Sequence, residues 1–227
     1  GIYLLMSFTT SFILLLSLGI NLSISQSTTH PIITTLTNYL AIIPYYLFSV
    51  ITFITTYTFT VEQYFTKMYT NKQLQKNIKI RTALFMIGLF LSGLTCFPVE
   101  QEVSLGNTLF EAWSITPPPF IQTVTTGITE TLANHKFLFY GLDWLGFAHI
   151  LFAILFYGVY KDPVRNIWVT QFGLMACCAI FPLAFIMGPL RGIPFWWQLV
   201  DSSFGIIGLL VMVPVYKMTL KLQKATQ

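Results

Sequence analysis

GIYLLMSFTTSFILLLSLGINLSISQSTTHPIITTLTNYLAIIPYYLFSVITFITTYTFTV, residues 1–61, holds no charged side chain, and Glu62 is the first. In water, so long an uncharged and largely apolar stretch would drive aggregation through its exposed surface. Lipid removes that penalty. The remaining sequence points the same way. Of the 227 residues, 55% are hydrophobic, 16% aromatic and 9% charged. A soluble domain carries about a quarter charged residues. The expected fold class is therefore all-α, a polytopic membrane protein.

A bilayer core asks for about 20 apolar residues per helix. Six stretches meet that demand: 2–22, 39–60, 80–99, 137–160, 167–190 and 195–218. The expectation is a bundle of about six transmembrane helices forming one domain over 1–227. A Ser/Thr-rich linker at 23–37 separates the first two stretches, and His30-Pro31 breaks any helix there. The first residue is Gly, so the start is expected to be processed, trimmed or incomplete. Residues 1–20 lack a basic n-region and an Ala-x-Ala-like cleavage site, which favours a true helix over a signal peptide.

Charge sets the expected orientation. Lys67, Lys72, Lys76, Lys79 and Arg81 precede or open the third stretch. Lys161 and Arg165 separate the fourth from the fifth, and Lys217, Lys221 and Lys224 end the chain. These are ten of the twelve basic residues; Lys136 and Arg191 fall on the opposite side. The positive-inside rule then puts both termini on the cytoplasmic or matrix side. Glu100, Glu102, Glu111, Glu130, Asp143 and Asp201 fall at or near the outer side. Trp113, Trp144, Trp196 and Trp197 cluster near the outer interface and Trp168 near the inner one, as an aromatic belt. Residues 100–136 form the longest outer loop, split by Pro117-Pro118-Pro119. Beyond the prolines Phe120, Val124, Ile128 and Leu132 recur every four residues. That spacing predicts a short amphipathic helix at the outer surface.

Ionisable groups inside a bilayer cost several kcal/mol unless paired or hydrated, so they are the natural candidates for chemistry. Asp143 and Asp201 each lie about 10 Å along their helices from the outer end. Arg191 closes the fifth stretch on that side, so the three are expected near one depth. They could form an outward-open pocket with Arg191 facing a carboxylate or phosphate, or an interhelical salt-bridge network. His149 lies near the midplane as a proton relay or as a helix–helix hydrogen bond. Gln171 is expected to bond a neighbouring helix. Asp162-Pro163-Val164-Arg165 reads as a tight turn.

Other chemistry finds no support. Cys96, Cys177 and Cys178 make no Cys-x-x-Cys or Cys/His cluster, so neither a metal site nor a disulfide framework is expected. A haem held by two histidines is not expected either, because His30 and His135 lie in outer loops. P-loop, nucleophile-elbow, zinc-protease and dinucleotide-binding motifs are absent. No catalytic residue and no cofactor are assigned.

Gly93-Leu94-Thr95-Cys96-Phe97-Pro98, followed by Glu100, is the most motif-like stretch. In layout the chain resembles six-helix integral membrane proteins of bacteria. The resemblance implies a compact six-helix bundle and no assigned chemistry. The leading functional expectation is a non-catalytic accessory or scaffold subunit of a larger membrane assembly. Its partners would be membrane lipids and other membrane subunits, not nucleic acid, in a bacterial or mitochondrial inner membrane. The alternatives are a transporter or small-molecule-binding protein using Asp143, Arg191, Asp201 and His149, and a membrane enzyme acting on a lipid or quinone.

Overall fold

The computed structural model describes residues 70–226 and, ahead of them, the helical positions Thr52, Thr56, Tyr57 and Thr60. The chain divides into two compact units, 1–70 and 71–227. In the first, Thr60 Oγ1 donates to the Thr56 carbonyl at 2.8 Å. All that follows concerns the second.

Its order is α1 (Asn71–Leu94), α2 (Val99–Ala112), α3 (Pro119–Asn134), a 3-10 turn (Lys136–Phe139), α4 (Tyr140–Lys161) and α5 (Ile167–Pro182). A π turn (Leu183–Met187), a short helical turn (Gly188–Leu190) and α6 (Phe195–Thr226) complete it. No strand occurs among the described residues. Among the described residues four segments are long and apolar enough to cross a membrane: Asn71–Leu94, Lys136–Lys161, Ile167–Leu190 and Phe195–Ala225. They mark a multi-pass helical membrane protein. Six crossings were expected and four are found among the described residues. The other two expected stretches, 2–22 and 39–60, lie outside the described residues, apart from the helical positions already named.

α1 begins at Asn71, not near residue 80. Apolarity locates only the part of a helix that sits in lipid, whereas the helix itself continues through the lysine-bearing turns before it. Leu74, Ile78 and Thr82, spaced four apart on one face, are fully buried and hold those turns against the bundle. The segment at 99–112, read as loop, is α2. Its signals are local: Glu100 and Glu102 sit in its first turn, where the helix dipole favours anions. Val99, Val103, Gly106 and Phe110 form its half-buried stripe. α3 starts within the proline run at Pro119, the position where proline costs a helix least. Phe120, Val124, Ile128 and Leu132 are half-buried, while Thr123, Thr126, Thr129 and Glu130 are exposed.

α1 packs on α4 and on α6, and α6 packs on α5. The core forms where all four meet. Phe85 of α1 meets Phe156 of α4 edge-on, with centroids 4.8 Å apart. The Phe156 ring fills the space a side chain would need at Gly173 of α5, where an ideal Cβ would lie 2.6 Å from Cζ. Met212 and Gly208 of α6 close the same cluster.

Glycines set the distances between axes. A Cβ at Gly93 would lie 2.7 Å from the Gly146 carbonyl oxygen, and one at Gly146 would lie 2.6 Å from that of Gly93. α1 and α4 therefore cross backbone to backbone. α5 and α6 do the same: a Cβ at Gly205 would lie 2.8 Å from the Cys177 carbonyl oxygen, and Gly208 meets Cys177 Sγ. Gly88, by contrast, has nothing within 4 Å. Overpacking a tight contact costs about 1–3 kcal/mol. Gly146→Ala should therefore lower the thermal midpoint of the detergent-solubilised protein by several degrees. Gly88→Ala should leave it unchanged or raise it slightly, since alanine suits helices better.

Candidate functional site

Antiparallel packing gives the bundle two distinct ends. At one lie the start of α1, the α4–α5 turn and the end of α6. Nine of the eleven basic residues among 70–226 are found there. The turn Asp162–Asn166 is tied by its own side chains. The Arg165 amide donates to Asp162 Oδ1 at 3.0 Å, and Asn166 Nδ2 donates to the Gly158 and Asp162 carbonyls at 3.0 and 2.9 Å. Deeper in the bundle, Gln171 Nε2 donates to Tyr216 Oη at 3.4 Å, so this amide does reach from α5 to α6.

At the opposite end, Pro182 removes a helical donor and the chain relaxes into the π turn before Gly188. Gln198 of α6 holds the turn that follows. It is completely buried, lies against Gly188, and donates from Nε2 to the Ile193 carbonyl at 2.7 Å. Its Oε1 is buried without a partner. The Arg191 amide donates to the Met187 carbonyl at 3.0 Å, and Gly192 has φ +71°, a conformation glycine adopts without strain. The result is a rigid mount for an exposed Arg191 side chain.

Asp143, in the first turn of α4, and Asp201, in the second turn of α6, are half-buried. None of Asp143, Arg191 or Asp201 makes an ion pair with another described residue. α4 and α6, which carry the two aspartates, share no substantial interface. His149 is half-buried on α4. Its Nδ1 lies 2.9 Å from the Leu145 carbonyl oxygen. A carbonyl only accepts, so Nδ1 carries the proton. The bond stays within its own helix, and the His149 Cβ helps to form the Gly93–Gly146 crossing.

At this end α2 and α3 add a shallow cleft of about 530 Å³ between them, lined by Glu100, Asn107, Glu111, Thr129 and Lys136 among others. Phe120 of α3 packs on Trp197 and Trp196 of α6, with centroids 5.6 and 6.0 Å apart, and so ties α3 to the bundle. Cys96, just past α1, donates weakly from Sγ to the Ser92 carbonyl at 3.5 Å. Burial, and then the Glu102 carboxylate, raise its thiol pKa, which makes it a poor nucleophile near neutrality. Among the described residues no group of three or more His, Cys, Asp or Glu is placed to hold a metal ion.

Sequence reasoning did not single out Gln198, Gly146, Gly205 or Gly208. The small-residue spacing Gly205-x-x-Gly208 on an apolar helix was a usable signal; the Gln198 staple had none, because its partners lie in an irregular turn.

Breaking a buried ion pair costs about 3–5 kcal/mol. Surface substitutions away from such a network or a packed contact usually shift stability by less than about 0.5 kcal/mol. With no ion pair to lose, Asp143→Asn and Asp201→Asn should each leave the thermal midpoint unchanged or raise it. A drop of several degrees in either variant would restore the salt-bridge reading.

No protein-family model, no curated protein and no solved structure matches this chain.

Proposed function

We propose that this chain is a non-catalytic subunit of a larger membrane assembly, with its basic end on the cytoplasmic or matrix side of a bacterial or mitochondrial inner membrane. One observation carries the reading: the apolar flank formed by α1 and α4. Leu84, Ile87 and Leu91 recur on α1, and Trp144, Phe147, Leu151 and Ile154 on α4, all exposed. Within their spans α1 and α4 are only 17% and 22% buried, against 44% for α6. The outward stripes are long, regular and free of charge, which suits lipid or the helices of a partner. His149, whose Cβ lines the α1–α4 crossing, is engaged with its own helix and contributes no reactive pair.

A second reading, a transporter or small-molecule-binding protein, is favoured by the unpaired state of Asp143, Arg191 and Asp201. Uncompensated charge at membrane depth points to a hydrated path or a ligand.

Photo-crosslinkers at Leu84 and Ile154, combined with purification in mild detergent, test the first reading. The expected result is a crosslink to one other membrane protein that also copurifies at fixed stoichiometry. A monodisperse monomer crosslinked only to lipid would overturn it. If, in addition, Asp143→Asn and Arg191→Ala folded normally but lost binding of a charged solute, the second reading would replace it.

A further inference from the structure

Among the described residues α1 and α6 continue past α4 and α5 at the basic end. α4 stops at Lys161 and α5 begins at Ile167. Lys79 of α1 is level with the end of α4, because its Nζ lies 5.6 Å from the centre of the Tyr160 ring. From Lys79 back to Asn71, at 1.5 Å per residue, α1 rises about 12 Å further. α6 accompanies it. Phe85 packs against Gly208, and counting fourteen residues outward from each brings Asn71 level with Leu222. The contact between the two helices is dry: Leu74 and Ile78 on α1, and Met218 and Leu222 on α6, are 0–6% exposed. The result is a stiff antiparallel pair of helix ends.

Each end carries a lysine stripe opposite its buried stripe. On α1 the stripe is Lys72, Lys76 and Lys79; on α6 it is Lys217, Lys221 and Lys224. Both follow the i, i+4, i+7 spacing of one helix face. Lys72, Lys76, Lys79 and Lys224 are exposed. No acidic residue occurs in 71–99 or in 202–227. Lys72 also sits in the first turn of α1, with no acid there to offset it. The helix dipole disfavours cations there. Among the described residues Lys72, Lys76, Lys79 and Lys224 form no ion pair.

We propose that the paired ends of α1 and α6 form a docking surface for the anionic phosphate headgroups of the adjoining leaflet. The inference rests on the membrane-spanning reading of these helices. Depth identifies the partner. A headgroup layer is about 5–8 Å thick on each side of the hydrocarbon. Rising from Lys79, the stripe reaches Lys76 after about 4.5 Å and Lys72 after about 10 Å, so it traverses the whole layer. A soluble acidic protein or a nucleic acid would have to press against the bilayer to reach the lower lysines. The aromatic groups at this level match a headgroup setting. Tyr157 and Tyr160 stack 6.1 Å apart at 11°, and Lys161 Nζ lies 5.1 Å from the Tyr157 ring centre. Tyrosine and lysine with apolar stems and polar tips belong at that boundary.

The full-length protein would be reconstituted in bilayers of mixed phosphatidylcholine and phosphatidylglycerol. Lipids retained on release from the bilayer would then be counted by native mass spectrometry. A lysine at an anionic surface contributes about a fivefold preference before screening. Wild type should therefore retain phosphatidylglycerol over phosphatidylcholine by at least about tenfold. Changing Lys72, Lys76, Lys79 and Lys224 together to Gln should abolish the preference. Changing the same four to Arg should keep it, which separates loss of charge from loss of fold. Lys136→Gln at the far end should have no effect. Equal retention of both lipids by wild type, or undiminished preference in the Gln variant, would overturn the proposal. Failure to enter bilayers at all would instead sink the membrane reading beneath it.

Discussion

Lipid gives two apolar helices little reason to associate, since the acyl chains are as apolar as leucine. What remains is close packing, and that constraint organises the molecule. α1 and α4 meet at Gly93 and Gly146 with each backbone against the other's carbonyl. α5 and α6 meet at Cys177, Gly205 and Gly208. Between these crossings Phe156 reaches across to Phe85 and Gly173 and fills the centre. Dispersion between well-fitted surfaces is weak per atom but large in sum. It acts only where side chains are small enough to let the axes approach.

The same constraint explains what faces outward. Once the small residues are committed to crossings, the large apolar ones on the other faces have no partner within the bundle. Leu84, Ile87, Phe147, Ile154, Met175, Phe204 and Ile207 are all exposed. Polar groups are treated according to depth. Ser202 and Thr219 are buried because each returns its hydroxyl to a carbonyl one turn back, at 2.8 Å. Thr82 Oγ1 and Thr170 Oγ1 are buried with no partner; the structure offers no physical reason for them. Charges collect at the ends, where water or headgroups can meet them.

Much of this was legible beforehand because it depends on composition along one helix. The spans beginning at Lys136, Ile167 and Phe195 appear close to where apolarity put them. The stripe of Phe120, Val124, Ile128 and Leu132 does mark a helix, turned toward the protein. Less legible were features that depend on two helices at once. The Gly93–Gly146 contact is a matter of register between segments some fifty residues apart, and no local pattern encodes register. The extension of α1 back to Asn71 was hidden for a related reason. Its lysines look like loop residues until Leu74 and Ile78 are seen to pack. The candidate site was the least legible part. Asp143, Arg191 and Asp201 share an end of the bundle, but sequence could not show that no ion pair joins them.

The account depends most on α1 and α4 crossing a bilayer. Its most direct test uses single cysteines in a chain with Cys96→Ser, Cys177→Ala and Cys178→Ala. Cysteine would be introduced at Gln75, Thr108 or Val164, and sealed vesicles of either orientation would be treated with a membrane-impermeant maleimide. Labelling of positions 75 and 164 from one side and of position 108 only from the other is the predicted result. Labelling of all three from the same side would contradict it.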